Sequence, residues 1–118
     1  MKYKGHIVDI STRSLFDGEL IVENGVISSI TPCDEVSADA PYFLPGFIDS
    51  HVHIESSMMV PAEFARVAVE QGTIGVVADP HEIGNVLGME GIEFMINSGK
   101  NIRFNFCFGA PSCVPSCG

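Results

Sequence analysis

The alternation of apolar and polar positions divides the chain into a front of short, turn-punctuated strands and a back in which strand and helix patterns alternate. In the front, Ile7-Val8-Asp9-Ile10 is strand-like and Asp17-Gly18 carries turn chemistry. Glu19-Leu20-Ile21-Val22-Glu23 partly alternates and stops at Asn24-Gly25, the strongest short hairpin signal. Val26-Ile27-Ser28-Ser29-Ile30 is therefore predicted to return beside it. Residues 31–42 are polar, acidic and proline-bearing, and form a predicted connector. Beyond them Phe43, Phe47, Ile48, Val52 and Ile54 predict a buried strand over residues 43–54, with Pro45-Gly46 as a bulge or irregular entry.

The back half is more regular. Pro61 suits the first turn of a helix, Phe64, Val67, Ala68 and Gln71 share one face, and Gly72 is placed to end it. Thr73–Ala78 is a continuous apolar run of strand length. A second helical stripe follows in Met89, Ile92, Met95 and Ile96, with Gly99 as its stop. Residues 102–108 alternate as a third strand and run into Gly109-Ala110-Pro111, a loop signal. The order is β-α-β-α-β, with connections long enough for right-handed parallel crossovers, so the three strands should end on one edge.

That edge collects the chemistry. His51 and His53 lie two positions apart, so on a strand both imidazoles face the same way, and Glu55 joins them if the strand runs on. Two neutral imidazoles side by side make half a site for a divalent metal; the plainer alternative is a pair of core histidines bonded to backbone carbonyls. Asp79-Pro80-His81-Glu82 ends the second strand and Pro111-Ser112-Cys113 the third. In α/β proteins reactive groups gather at the C-terminal strand ends. Asp79-Pro80 is also turn chemistry, and Glu82 also suits a helix N-terminus. His6 reads as an ordinary strand or surface histidine.

Composition narrows the partners. The chain has 118 residues, 46% of them apolar, enough for a core, and a net charge of −9 from fifteen acidic and six basic residues. Such acidity argues against nucleic acid or an anionic membrane as partner. No apolar run reaches membrane-spanning length, and the N-terminus lacks the apolar core of a signal peptide, so a cytoplasmic protein is expected. Cys33, Cys107, Cys113 and Cys117 contain no C-x-x-C and are expected to be reduced thiols.

The stretch L-P-G-F-I-D-S-H-V-H-I-E at residues 44–55 resembles the first barrel strand of the metal-dependent amidohydrolase superfamily. With H-V-H-I-E-S-S-M at residues 51–58, A-D-P-H-E-I-G-N-V at residues 78–86 and P-S-C-V-P at residues 111–115, the chain resembles the adenine deaminases within it. The resemblance implies an α/β fold: part of a small β-sandwich over residues 1–42, then the first three strands of a (β/α)8 barrel over residues 43–118. It implies His51 and His53 as metal ligands and His81, Glu82 and Glu55 as catalytic or supporting groups. The metal would be manganese or iron, with zinc a further choice. The implied reaction is hydrolysis of adenine to hypoxanthine and ammonia, by attack of metal-bound hydroxide on C6. A homo-oligomer is expected of the full-length protein, of which this chain would be an N-terminal portion inactive by itself. Three strands cannot close a barrel, and two histidines leave a metal under-coordinated. The cytidine-type zinc deaminases use H-x-E with P-C-x-x-C, absent here. The alternatives are a dihydroorotase-, hydantoinase- or deacetylase-type hydrolase of cyclic amides, or a non-catalytic metal-binding or assembly module.

Overall fold

The computed structural model describes residues 1–111. Ser112 and Cys113 of the third polar cluster, and Cys117, lie outside the described residues. The chain forms two compact units, Met1–Pro45 and Gly46–Gly118.

The first unit is one sheet in the order β3-β2-β1-β4: β1 (Lys2–Asp9), β2 (Ser14–Glu23), β3 (Val26–Pro32) and the two-residue β4 (Tyr42–Phe43). β1, β2 and β3 are antiparallel neighbours, while β4 runs parallel to β1. The predicted hairpin turn is present: Asn24 and Gly25 have φ of 53° and 78°, the left-handed pair whose twist matches that of the flanking strands. The expected turn at Asp17-Gly18 is not. Gly18 lies within β2, opposite Gly5 of β1, and a Cβ there would stand 2.6 Å from Ile7 Cγ1. The glycine serves a close approach rather than a reversal.

The reversal falls at residues 10–13. There the Asp9 carboxylate accepts the Ser11 hydroxyl at 2.6 Å and the Ser11 and Thr12 N–H groups at 2.9 and 3.3 Å. These bonds, led by the Ser11 hydroxyl, hold the Asp9 carboxyl down at about 2. Asp17 is similarly lowered, first by the Val36 N–H and then by the His6 imidazole 2.8 Å away, and so ties the connector to the sheet. His6 is thus a strand histidine engaged within this unit.

The second unit contains β5 (Phe47–Val52), a single 3-10 turn (Glu55–Ser57), α1 (Pro61–Glu70), β6 (Thr73–Ala78), α2 (His81–Gly99) and β7 (Asn105–Phe108). Its sheet is parallel throughout, in the order β5-β6-β7. The single strand expected over residues 43–54 is two: Phe43 belongs to the first sheet, and β5 starts only at Phe47. Pro45 has no N–H to offer a ladder, which favours the break. Nor is β5 buried, since Phe47 and Ile48 are 59% and 66% exposed. Among the described residues it has a neighbour on one side only.

The core of this unit is Ile54, Ala65, Val76, Ala78, Met95 and Phe104. α1 starts at Pro61 as predicted, and Gly72, with φ of 84°, follows its cap. Its inward face is Pro61, Phe64, Ala65 and Ala68, with Val67 and Gln71 outside, so the stripe is rotated from the expected one. α2 begins eight residues before the predicted Met89 and extends to the predicted stop. Gly88 breaks its regularity at φ 60° and ψ −143°, a conformation that is nearly glycine-only. Met95 is buried, whereas Met89 is exposed. The third strand is shorter than expected because Phe104 turns into the core before the ladder starts. Among the described residues no helix is long and apolar enough to cross a membrane.

Candidate metal centre

β5 is irregular where it matters. Its register with β6 passes from Asp49↔Val76 to Val52↔Ala78, three steps on β5 against two on β6. The extra residue is a bulge, a device that re-aims side chains at a strand end. His51 N–H donates to the Asp49 carboxylate at 3.0 Å. The ladder then continues one step past β6, with Asp79 N–H donating to the Val52 carbonyl at 3.0 Å. Parallel pairing thereby sets Asp79 beside His53 across 26 positions of sequence.

The two histidines do face each other. Their Nε2 atoms are 3.1 Å apart and the rings meet edge to face, with centroids 4.7 Å apart. His53 Nδ1 lies 3.0 Å from the Asp79 backbone oxygen. A carbonyl only accepts, so Nδ1 carries the proton, and in the neutral ring the Nε2 lone pair points at His51. Pinning one ring nitrogen on a carbonyl is how ligating histidines are commonly oriented. The plainer alternative thus holds for one nitrogen of His53, and leaves the converging Nε2 pair to be accounted for.

Asp79 completes the group. One donor atom each from His51, His53 and Asp79 lie within 4.8 Å of one another. Asp79 Oδ1 is buried with no hydrogen-bond partner, while Oδ2 accepts from His81 Nδ1 at 3.2 Å. Two imidazole nitrogens and a carboxylate with an unpartnered oxygen suit a divalent cation. The residues present therefore fit the metal that the resemblance implies. The His81 ring packs edge-on against His53, centroids 4.6 Å apart, making three imidazoles in a row.

The remaining predicted residues lie just outside this group. β5 ends at Val52, so Glu55 does not share the histidines' face. It opens the 3-10 turn, and its Oε1 accepts the Ile83 N–H in the first turn of α2 at 3.3 Å; its Oε2 is buried without a partner. Glu82 receives the Ser56 hydroxyl, 2.7 Å from each carboxylate oxygen. The residue that spacing undervalues is Asp79, whose Asp-Pro context also fits a turn. Its signal was position: it is the first polar residue after a strand that pairs with the histidine strand. The cluster is open. It stands apart from the apolar concavity lined by Ile96, Gly99, Ile102, Phe104 and Phe106.

The amidohydrolase family pattern matches residues 42–118. The chain is 53% identical over 112 residues to an adenine deaminase of Salinibacter ruber, covering 95% of this chain and 20% of that protein. It is 51% identical to one from Parabacteroides distasonis (96% of this chain, 20% of that protein). It is 53% identical to one from Methanosarcina mazei (98% and 20%). The chain spans about a fifth of the length of these curated relatives.

Proposed function

Because this chain belongs to the amidohydrolase family, we propose that it supplies the front of an adenine deaminase, converting adenine and water to hypoxanthine and ammonia. In this reading the second unit is the opening β-α-β-α-β of a (β/α)8 barrel, and the first unit is part of a small β-sandwich. The observation that carries the proposal is the convergence of His51 Nε2, His53 Nε2 and the Asp79 carboxylate at the C-terminal end of a parallel sheet. The three residues would hold a divalent ion, manganese or iron. Such an ion lowers the pKa of a bound water and so supplies hydroxide at neutral pH.

The protein's own groups handle orientation and protons. His53 is held in one tautomer by the Asp79 carbonyl, which keeps its Nε2 free as a donor atom. Deamination requires one proton to leave the water that adds at C6 and another to reach the departing amino nitrogen. His81 would serve both: its Nδ1 is engaged by Asp79 Oδ2, which leaves Nε2 to take up and return a proton. Glu82, the next residue, is the carboxylate partner for the same traffic. Glu55 supports these groups from the 3-10 turn, by accepting the Ile83 N–H at the start of α2. A purine base is then the small-molecule partner, in a cytoplasmic homo-oligomer.

The test is adenine turnover, followed by ultraviolet absorbance, on the longest reading frame that carries this segment, supplied with manganese or iron. Turnover that disappears in His51→Ala is the expected result. A folded, metal-loaded protein that leaves adenine untouched would overturn the proposal in favour of a cyclic-amide substrate.

A further inference from the structure

Two hydrogen bonds cross in opposite directions between the 3-10 turn after β5 and the first turn of α2. Ser56 Oγ lies 2.7 Å from both Oε1 and Oε2 of Glu82, and Glu55 Oε1 accepts the Ile83 N–H. The partners are 26 and 28 positions apart, so neither bond is a product of local chain geometry. A serine hydroxyl has one proton and an ionised carboxylate only accepts. At equal distances that proton is shared, and the hydroxyl sits in the fork of the carboxylate. This fixes the last torsion of a side chain that would otherwise lose conformational freedom only in the reacting complex.

Glu82 also lies on the leading segment of a kinked helix. Gly88 leaves helical geometry seven residues after His81, and nothing lies within 4 Å of where its Cβ would be. No packing requirement explains that glycine. The leading segment of α2, which carries His81 and Glu82, meets the turn containing Glu55 and Ser56 at its own end, while Ile83 packs against the core and close to Gly91.

We propose that Ser56 is a positioning residue that acts through Glu82, orienting its carboxylate for proton transfer beside the His51–His53–Asp79 cluster. This rests on the reading of Glu82 given under Proposed function. The Ser56 N–H donates to the His53 carbonyl at 3.2 Å, a bond that Ser56→Ala retains, while the hydroxyl goes to Glu82. The competing account is that Glu82 is only a favourable charge at a helix start, with Ser56 as an incidental partner.

A double-mutant cycle in the longest reading frame carrying this segment decides between them, with kinetics and amide hydrogen exchange both measured. Ser56→Ala should lower kcat for adenine by about tenfold, with KM and metal content within about twofold of the parent. Ser56→Thr, which keeps the hydroxyl, should recover most of the loss. In a Glu82→Ala background, Ser56→Ala should cost nothing further. Exchange at the amides of residues 82–84 should quicken equally in Ser56→Ala, Glu82→Ala and the double variant. Multiplicative losses, or failure of threonine to restore kcat, would overturn the proposal. If the parent turns over no adenine, the functional reading fails by itself and the exchange cycle still decides. Coincident quickening sustains the coupling, and independent quickening ends it.

Discussion

Ile54→Ala should be the most damaging conservative change in the second unit, and damage to the His51–His53–Asp79 cluster should follow from it. Ile54 has no exposed surface and sits between His53 and Glu55. Its neighbours in the core include Ala65 and Ala78, which have no side-chain length with which to refill a void. Removing a buried isoleucine down to its Cβ costs about 2–5 kcal/mol, and a site that cannot collapse falls in the middle of that range or above, about 3 kcal/mol. With a denaturant slope of about 1.5 kcal/mol per molar, the urea midpoint should drop by about 2 M. Unfolding of the chain followed by far-ultraviolet circular dichroism measures this directly. Ile48→Ala is the matched control: the same chemical change six residues earlier, at a site 66% exposed, should move the midpoint by about 0.3 M or less. Equal shifts in the two variants would refute the reasoning, because burial alone distinguishes them.

Three further outcomes follow from other parts of the molecule. Asp79→Asn keeps the backbone contacts of that residue and removes its charge. It should weaken manganese or iron binding about 10–100-fold in competition with a chromophoric chelator, and a change under about twofold would remove Asp79 from the donor set. Asp9 is held at about 2, below its ordinary 3.8, so its contribution to stability is fully present above that ordinary value and is lost as pH falls through about 2. A carboxyl-carbon NMR titration should place its midpoint near 2 and show Ser11→Ala moving it upward; an unmoved midpoint would refute the assigned cause. Gly88→Ala meets no neighbour but forces a side chain into a nearly forbidden backbone region, and should cost about 1–3 kcal/mol in the same urea assay. A neutral Gly88→Ala would mean that α2 runs straight.

Signals that depend on a few adjacent residues were the legible part of the fold. Asn24-Gly25 specified its hairpin because both residues accept positive φ, and Pro61 and Gly72 bracketed α1 because each suits one end of a helix. Asp17-Gly18 misled because the same residue types were used for tertiary purposes: the glycine admits Ile7, and the aspartate binds His6 and the Val36 N–H. The apolar run of residues 43–54 concealed a break between two sheets, since hydrophobicity does not say which sheet a strand joins. Among the candidate site residues, His51 and His53 stood out because two-residue spacing suggests a shared face, although the structure brings them together at a bulged strand end. Asp79 could be placed only through the pairing of β5 with β6, and Ser56 only through its distant carboxylate partner.

Residues 52–55 join the core to the chemistry, and each does so differently. Val52 takes the Asp79 N–H on its carbonyl, His53 donates from Nδ1 to the Asp79 carbonyl, Ile54 fills the core, and Glu55 takes the Ile83 N–H. Both polar backbone groups of Asp79 are thus fixed by two consecutive residues of the histidine segment. The distance between the imidazoles and the aspartate is consequently set by one backbone bond from Val52 and one bond from the His53 ring, neither of which involves the His51 side chain. Such a cluster should retain its geometry when His51 is trimmed and lose it when the buried Ile54 is trimmed. His51→Ala should weaken metal binding with little change in the urea midpoint, whereas Ile54→Ala should lower both together. If Ile54→Ala unfolded early yet bound metal at parental affinity under native conditions, the donors would owe their arrangement to something other than this turn.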